Sequence, residues 1–263
     1  MTEDPGSAGP RDARQWLLCG VAVLAVVAAT TSCGPKGGGG GSHSVTGPEA
    51  ERLSTVRFTA GLAGGARFAA VLSGRAGQYE SMSGQVDWKG HLAEATLTTK
   101  RADGTAGHFT IVWNQKALAA KDLDTEVLQG KAGWQTRPLD PERSTFDRAV
   151  WTLLAIPSDR PENPMLLASG GARWLRRDRV GETSADVFRG PGQRSEQQQA
   201  TAAATAAPEF WVDDSGQLIR FQAPIENGMF SSDFSGWGKQ EITDSAELAG
   251  AGDLKQIAPN GGS

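Results

Sequence analysis

Covalent or acid–base chemistry would need nucleophiles, titratable groups or metal ligands at fixed spacings, and the 263-residue sequence supplies few. Its histidines are His43, His91 and His108 and its cysteines Cys19 and Cys33, too few and too scattered for structural zinc or iron–sulfur clusters. There is no Gly-x-Ser-x-Gly nucleophile elbow, and no histidine sits where it would pair with a serine or cysteine. His91 and His108 read as solvated residues in or beside strand edges. Asp122-Leu123-Asp124-Thr125-Glu126 opens like a calcium loop but lacks the glycine at the sixth position and the closing glutamate. Gly37 to Gly41 follow no strand and precede no Lys-Ser or Lys-Thr pair, so they are not a phosphate loop. The expectation is a protein that is not an enzyme and carries no metal or cofactor.

Charge narrows the partners. Lys and Arg number 26 against 30 Asp and Glu, a formal net charge of -4, which leaves no electrostatic footprint for a nucleic-acid backbone. Arg173, Arg176, Arg177 and Arg179 form one local basic cluster. It reads as a solvated edge strand guarded by its charges, with contact to anionic lipid headgroups as the sharper alternative.

The N-terminal part carries an address. Trp16 to Ala29 is an uncharged apolar run, shorter than the about 20 residues of an ordinary membrane-spanning helix and long enough for the core of an export signal. Thr30-Thr31-Ser32-Cys33-Gly34 then resembles the end of a bacterial lipoprotein signal, in which small residues precede a cysteine that receives diacylglycerol. That resemblance implies that Cys33 is the lipid attachment site and mature N-terminus, its acyl chains of the palmitate kind. The sequence departs from the pattern at Thr30, where such signals carry an aliphatic residue, and in the acidic Glu3, Asp4 and Asp12. The alternative is an uncleaved anchor from Trp16 to Ser32. Both place the rest of the chain outside the cytoplasm at the cell membrane. Residues 1–33 are thus read as the signal, and 34–47, with five consecutive glycines, as a flexible tether. Without Cys19 no internal disulfide remains, and a chain of about 215 residues holds together by core burial alone.

The folded part, 48–245, opens with a short helix from Pro48 that Gly61, Gly64 and Gly65 are expected to break. Strand signals follow at 66–72, 85–88, 92–99, 109–119 and 134–137, with clear alternation in two: Ala93, Ala95 and Leu97 share one face, and Phe109, Ile111 and Trp113 another. The turn at 102–105 is expected to join that pair as a hairpin. Ser144 and Asp147 resemble a capping box, after which Phe146, Val150, Trp151, Leu153 and Leu154 recur at helical spacing until Pro157. Met165 to Ala168 is a second short apolar turn, and strands resume at 174–180, 185–189, 210–212, 218–222 and 230–237. Residues 192–208 read as an exposed connection and 246–263 as a C-terminal tail.

The order of short motifs resembles the LppX/LprG-like lipoproteins of actinobacteria, within the wider LolA-like fold. The residues carrying it are Gly84-Gln85-Val86-Asp87-Trp88 with Ala93 to Leu97, Gly133-Trp134-Gln135, and Asp186-Val187-Phe188-Arg189-Gly190. Phe210-Trp211-Val212-Asp213 with Gly216 and Asp233-Phe234-Ser235-Gly236-Trp237-Gly238 complete it. The resemblance implies an α+β fold: a strongly curved, open antiparallel sheet, a half-barrel, with short helices on the concave face around an apolar cavity for lipid acyl chains. Cavity candidates are Phe146, Val150, Trp151, Leu154, Met165 and Leu166 from the helices, and Trp88, Phe109 and Trp113 from the sheet; each competes with a plain core role. The function expected is a membrane-anchored extracytoplasmic lipoprotein that binds or carries an apolar ligand. The alternative is an envelope protein using the same fold to bind an unidentified protein partner without ligand transfer.

Overall fold

The computed structural model describes residues 41–74, 79–100, 104–125, 133–191, 207–226, 228–243 and 248. The signal 1–33 with Cys33, residues 34–40 of the tether, most of the connection 192–208 and all of the tail except Leu248 lie outside the described residues.

Twelve strands form one open antiparallel sheet, in agreement with the expected fold class. In chain order they are β1 (His43–Ser44), β2 (Gly65–Gly74), β3 (Tyr79–Asp87), β4 (Leu92–Lys100), β5 (Ala106–Asn114) and β6 (Ala117–Asp122), then β7 (Gln135–Pro138), β8 (Arg173–Val180), β9 (Thr183–Arg189), β10 (Glu209–Asp213), β11 (Leu218–Ile225) and β12 (Gly228–Ser235). Among the described residues, three helices of six or more residues accompany them: α1 (Gly47–Ala63), α2 (Thr145–Leu154) and α3 (Pro164–Ser169). The spatial order β1-β8-β9-β10-β11-β12-β2-β3-β4-β5-β6-β7 leaves β1 and β7 as edges. The two alternating runs pair as expected, with Leu97 facing Phe109 across β4 and β5.

Several local expectations are corrected. The run 109–119 is two strands, because the Asn114 side-chain oxygen accepts from the N–H groups of Lys116 (2.7 Å) and Ala117 (2.9 Å) and turns the chain back. The opening helix is not short: α1 passes through Gly61 and stops at Gly64, whose φ of +85° suits a glycine and lets its N–H reach the carbonyls of Ala60 and Gly61. Order also begins before Pro48, since His43–Ser44 pairs with Trp174 and Arg173 of β8.

One face of the sheet carries the core. Phe68, Ala70 and Leu72 of β2, Met82 and Val86 of β3, Ala93, Ala95 and Leu97 of β4, and Phe221 and Ala223 of β11 alternate inward and meet α1 and α2 in a single buried cluster. The sheet must curl to do this. Helix α2 touches β5 on one side and β11 and β12 on the other. In a flat sheet β5 and β11 would lie about 24 Å apart, whereas a ten-residue helix is about 15 Å long. On the opposite face Ala185, Val187, Trp211 and Ile219 form a smaller cluster, and Leu248 covers Val112, Ala117 and Ala119.

Candidate functional site

Helix α2 is fixed at both ends. Its N-terminus carries half of the expected capping box: the Asp147 N–H donates to Ser144 Oγ at 3.1 Å, while the Ser144 N–H donates to the Asp140 carbonyl instead of the Asp147 side chain. The Asp147 carboxylate is buried and accepts from Arg137 of β7 through Nη1 (2.6 Å) and Nη2 (2.5 Å) and from the Asp140 N–H (2.8 Å). Hydrogen bonding to Asp147 pushes the pKa of the Arg137 guanidinium up, against the opposing effect of burial. Toward the other end, Trp113 Nε1 donates to the Val150 carbonyl at 3.1 Å and Trp88 Nε1 to that of Leu153 at 3.0 Å. Two indoles, Trp113 of β5 and Trp88 in the turn after β3, thus hold the helix down by its own carbonyls.

Of the residues expected to line a cavity, Val150, Leu154, Trp88 and Trp113 come together in the main buried cluster. Trp113 meets Phe68 edge-on at 6.2 Å, and Trp88 lies 5.9 Å from Phe234 and 5.6 Å from Trp237. Phe109 and Phe146 are half-buried against the same cluster. Trp151, Met165 and Leu166 point outward instead, with Met165 and Leu166 keeping 76% and 67% of their surface exposed. The helical period groups residues by face; in α3 the buried face belongs to Leu167, one residue further on.

An apolar pocket of about 160 Å³ lies elsewhere, between α1, α3 and the ends of β9 and β10. Its walls are Leu53 of α1, Leu167 of α3, Phe210 of β10, and Gly190, Pro191 and Pro208. Gly190 holds that end closed by donating to the Pro208 carbonyl at 2.9 Å. A Cβ there would come within 3.3 Å of the Phe210 ring and 3.5 Å of Pro208. The only charged lining residues, Arg57 and Glu162, bind each other at 3.2 Å. Arg57 also donates through Nε to the Ile156 carbonyl (2.6 Å) and through Nη2 to that of Ala155 (3.1 Å), tying α1 to the C-terminus of α2. With its charges spent in this way, the pocket is chemically suited to an apolar group.

Sequence reasoning missed Arg57 and Glu162, which lie 105 positions apart and carry no local signature. Two other hollows are more polar: about 210 Å³ beside Thr59, Ser215 and Gln217, and about 490 Å³ on the outer sheet face at Arg67, Ser83, Gln85, Glu94, Thr96 and Thr110.

Two of the four arginines in the β8 cluster are held in ion pairs, while Arg173 donates to Ser42 and Arg179 to the Glu182 carbonyl. Arg177 binds Asp214 at 2.7 Å and Asp186 at 3.3 Å; Arg176 lies 3.4 Å from Asp178 and over the Trp211 ring at 5.5 Å. Burial alone would raise the Asp186 carboxyl, but hydrogen bonds from Trp174 and Arg52 and the charges of Arg52 and Arg177 outweigh it and hold its pKa below the usual range. Asp122 and Asp124, of the calcium-like run, are likewise engaged: Asp122 caps the N–H groups of Asp124 and Thr125, and Asp124 pairs with His108 at 3.0 Å. Among the described residues no group of three or more His, Cys, Asp or Glu could hold a metal ion. No helix among them is long and apolar enough to cross a membrane.

No family model and no curated protein matches the chain. Solved structures similar to it include the lipoprotein LppX of Mycobacterium tuberculosis, at 15% identity over 75% of this chain and 96% of that one, with a TM-score of 0.41. LprF of Mycobacterium bovis shares 13% identity over 76% and 97%, with a TM-score of 0.43. A LolA superfamily protein of Nitrosomonas europaea shares 10% over 76% and 96%, with a TM-score of 0.24. These are the groups that the motif order resembles; at such low identities and TM-scores, function has to be argued from the chain's own geometry.

Proposed function

We propose that the chain is a membrane-tethered extracytoplasmic protein that binds a small apolar group, such as the end of a lipid acyl chain, in the pocket between α1, α3 and the β9–β10 ends. The tether is the apolar run 16–29 or a lipid on Cys33. The observation that carries the reading is a pocket of about 160 Å³ whose walls are apolar apart from one mutually satisfied ion pair.

Size sets what it holds. A dry cavity of about 150 Å³ takes one benzene, so roughly six carbons fit here. At about 0.8 kcal/mol for each buried methylene they return ~5 kcal/mol, in the range of a dissociation constant near or somewhat below millimolar. The pocket as shaped grips a chain end rather than a whole lipid tail. That limit favours a second reading, an envelope protein that binds another protein.

Titration of the purified full chain with a fluorescent fatty acid tests the proposal. Saturable binding is expected, weakened roughly tenfold or more by Leu167→Trp, which fills the pocket. Absence of saturable binding in a cooperatively folded protein, or equal binding by the variant, would refute it.

A further inference from the structure

We infer that α3 is the membrane-facing tip of the domain, and that Met165 and Leu166 seat in the surface of the lipid bilayer with the mouth of the apolar pocket beside them. The inference rests on the tethered reading above and specifies which face the tether presents. Met165 and Leu166 are the two most exposed large apolar side chains among the described residues, at 76% and 67%, and they are adjacent on one short helix. Leu167, the next residue, lines the pocket, and so does Pro191, whose Cβ lies beside the end of α3.

The same end of the domain carries the chain's entry point. The Val45 N–H donates to the Ala172 carbonyl at 3.3 Å, and the Ala172 N–H donates to that of Leu167 at 3.0 Å, so the neck and α3 share one residue. Arg173 Nη2 holds the Ser42 carbonyl at 2.8 Å, and His43 stacks on Trp174 at 4.9 Å while its Nε2 meets Glu49 at 3.1 Å. The described chain therefore begins on the α3 side, pinned to β8.

Only seven residues lie between Cys33 and Gly41, and the eight steps from one to the other span at most about 29 Å when fully extended. From an uncleaved anchor ending at Ser32 the limit is about 32 Å. Both are shorter than the roughly 40 Å breadth of a folded domain of this size, so the neck-bearing face stays toward the bilayer. A lipid surface is the occupant this favours. Two side chains fall far short of the about 800 Å² per partner that a stable protein interface needs, whereas two apolar groups held against a bilayer by a tether need no further area.

The test uses the full chain, which keeps the apolar run 16–29, with Cys19→Ser and Cys33→Ser and one added cysteine, Met165→Cys, bearing an environment-sensitive fluorophore. Gln115→Cys, in the β5–β6 turn toward the other end of the sheet order, is the control. Both are mixed with phosphatidylcholine–phosphatidylglycerol vesicles containing a spin-labelled lipid. The expected result is co-sedimentation of both proteins, with blue-shifted and lipid-quenched emission at position 165 only. Co-sedimentation with equal, water-like emission at both positions would overturn the docking while leaving the tether standing. Failure to co-sediment would overturn both. A blue shift at 165 without vesicles that grows with protein concentration would assign the patch to a second copy of the chain and overturn the lipid assignment.

Discussion

Replacing Arg137 by leucine tests whether α2 is a fixed floor of the fold or a cover that could open over a hollow. The Asp147 side chain is 1% exposed and takes three donors, two of them from Arg137, itself 47% exposed. Arg137→Leu leaves a buried carboxylate with the Asp140 N–H as its remaining partner from that set, and an unpaired buried charge of this kind costs about 3 kcal/mol. For a domain of roughly 200 residues, each kcal/mol moves the melting temperature by about 2–4 °C, so the variant should melt roughly 6–12 °C lower. Asp147→Asn added to Arg137→Leu should recover part of the loss, because the group left behind is then neutral and still accepts from Asp140. Thermal and urea unfolding followed by circular dichroism give both numbers. A loss below about 1 kcal/mol for Arg137→Leu, the size of an exposed ion pair, would refute the claim that this contact holds α2 to the sheet edge.

Three further outcomes follow from the same geometry. Trp113→Phe removes the indole donor to Val150 and leaves a void in the core; a loss of about 2–3 kcal/mol in urea unfolding is expected, and one below about 1 kcal/mol would mean that α2 is not seated there. Gly84→Ala would drive a Cβ onto the Glu94 carbonyl and to 2.6 Å from the Ala95 Cα; it should cost about 1–3 kcal/mol, and an unchanged melting temperature would contradict the close β3–β4 approach. Burial pushes the Glu80 carboxyl up, against a hydrogen bond with Thr99. Because its folded-state pKa lies above the unfolded one, the protonated form favours folding, and stability is lost as pH rises from the ordinary carboxyl range through the raised value. Glu80→Gln should therefore flatten that slope and stabilise at neutral pH by roughly a few tenths of a kcal/mol, the group being partly solvated. Stability of the wild type that rises across that window in step with Glu80, as read from the difference between the two proteins, would contradict the assignment.

What was legible in the sequence was what local physics decides. Alternation over 93–97 and 109–113 gave the β4–β5 pairing, and Ser144 with Asp147 gave the start of α2. Asn114 was readable in principle as a turn former inside an apolar run, but Phe109, Ile111, Trp113 and Ala117 to Ala119 mask it. The end of α1 was misplaced because Gly61 tolerates a helical backbone, where it packs near Ser158 and Pro157, while Gly64 takes the positive φ. The pocket was not legible. Its parts come from Leu53, Arg57, Glu162, Leu167 and Phe210, brought together only when α3 packs on α1 beside the ends of β9 and β10. Nor does a run such as Met165-Leu166-Leu167 say which residue will turn inward; the Asn163 cap sets the start of α3, and packing against α1 then buries Leu167.

The most direct measurement is a native mass spectrum of the full chain released from its own membranes, followed by organic extraction and analysis of what it carried. If the pocket between α1 and α3 binds an apolar group, the wild type shows a bound population that extracts as an apolar compound, and Leu167→Trp shows much less. Identical unliganded spectra for both proteins, each folded, would contradict the account.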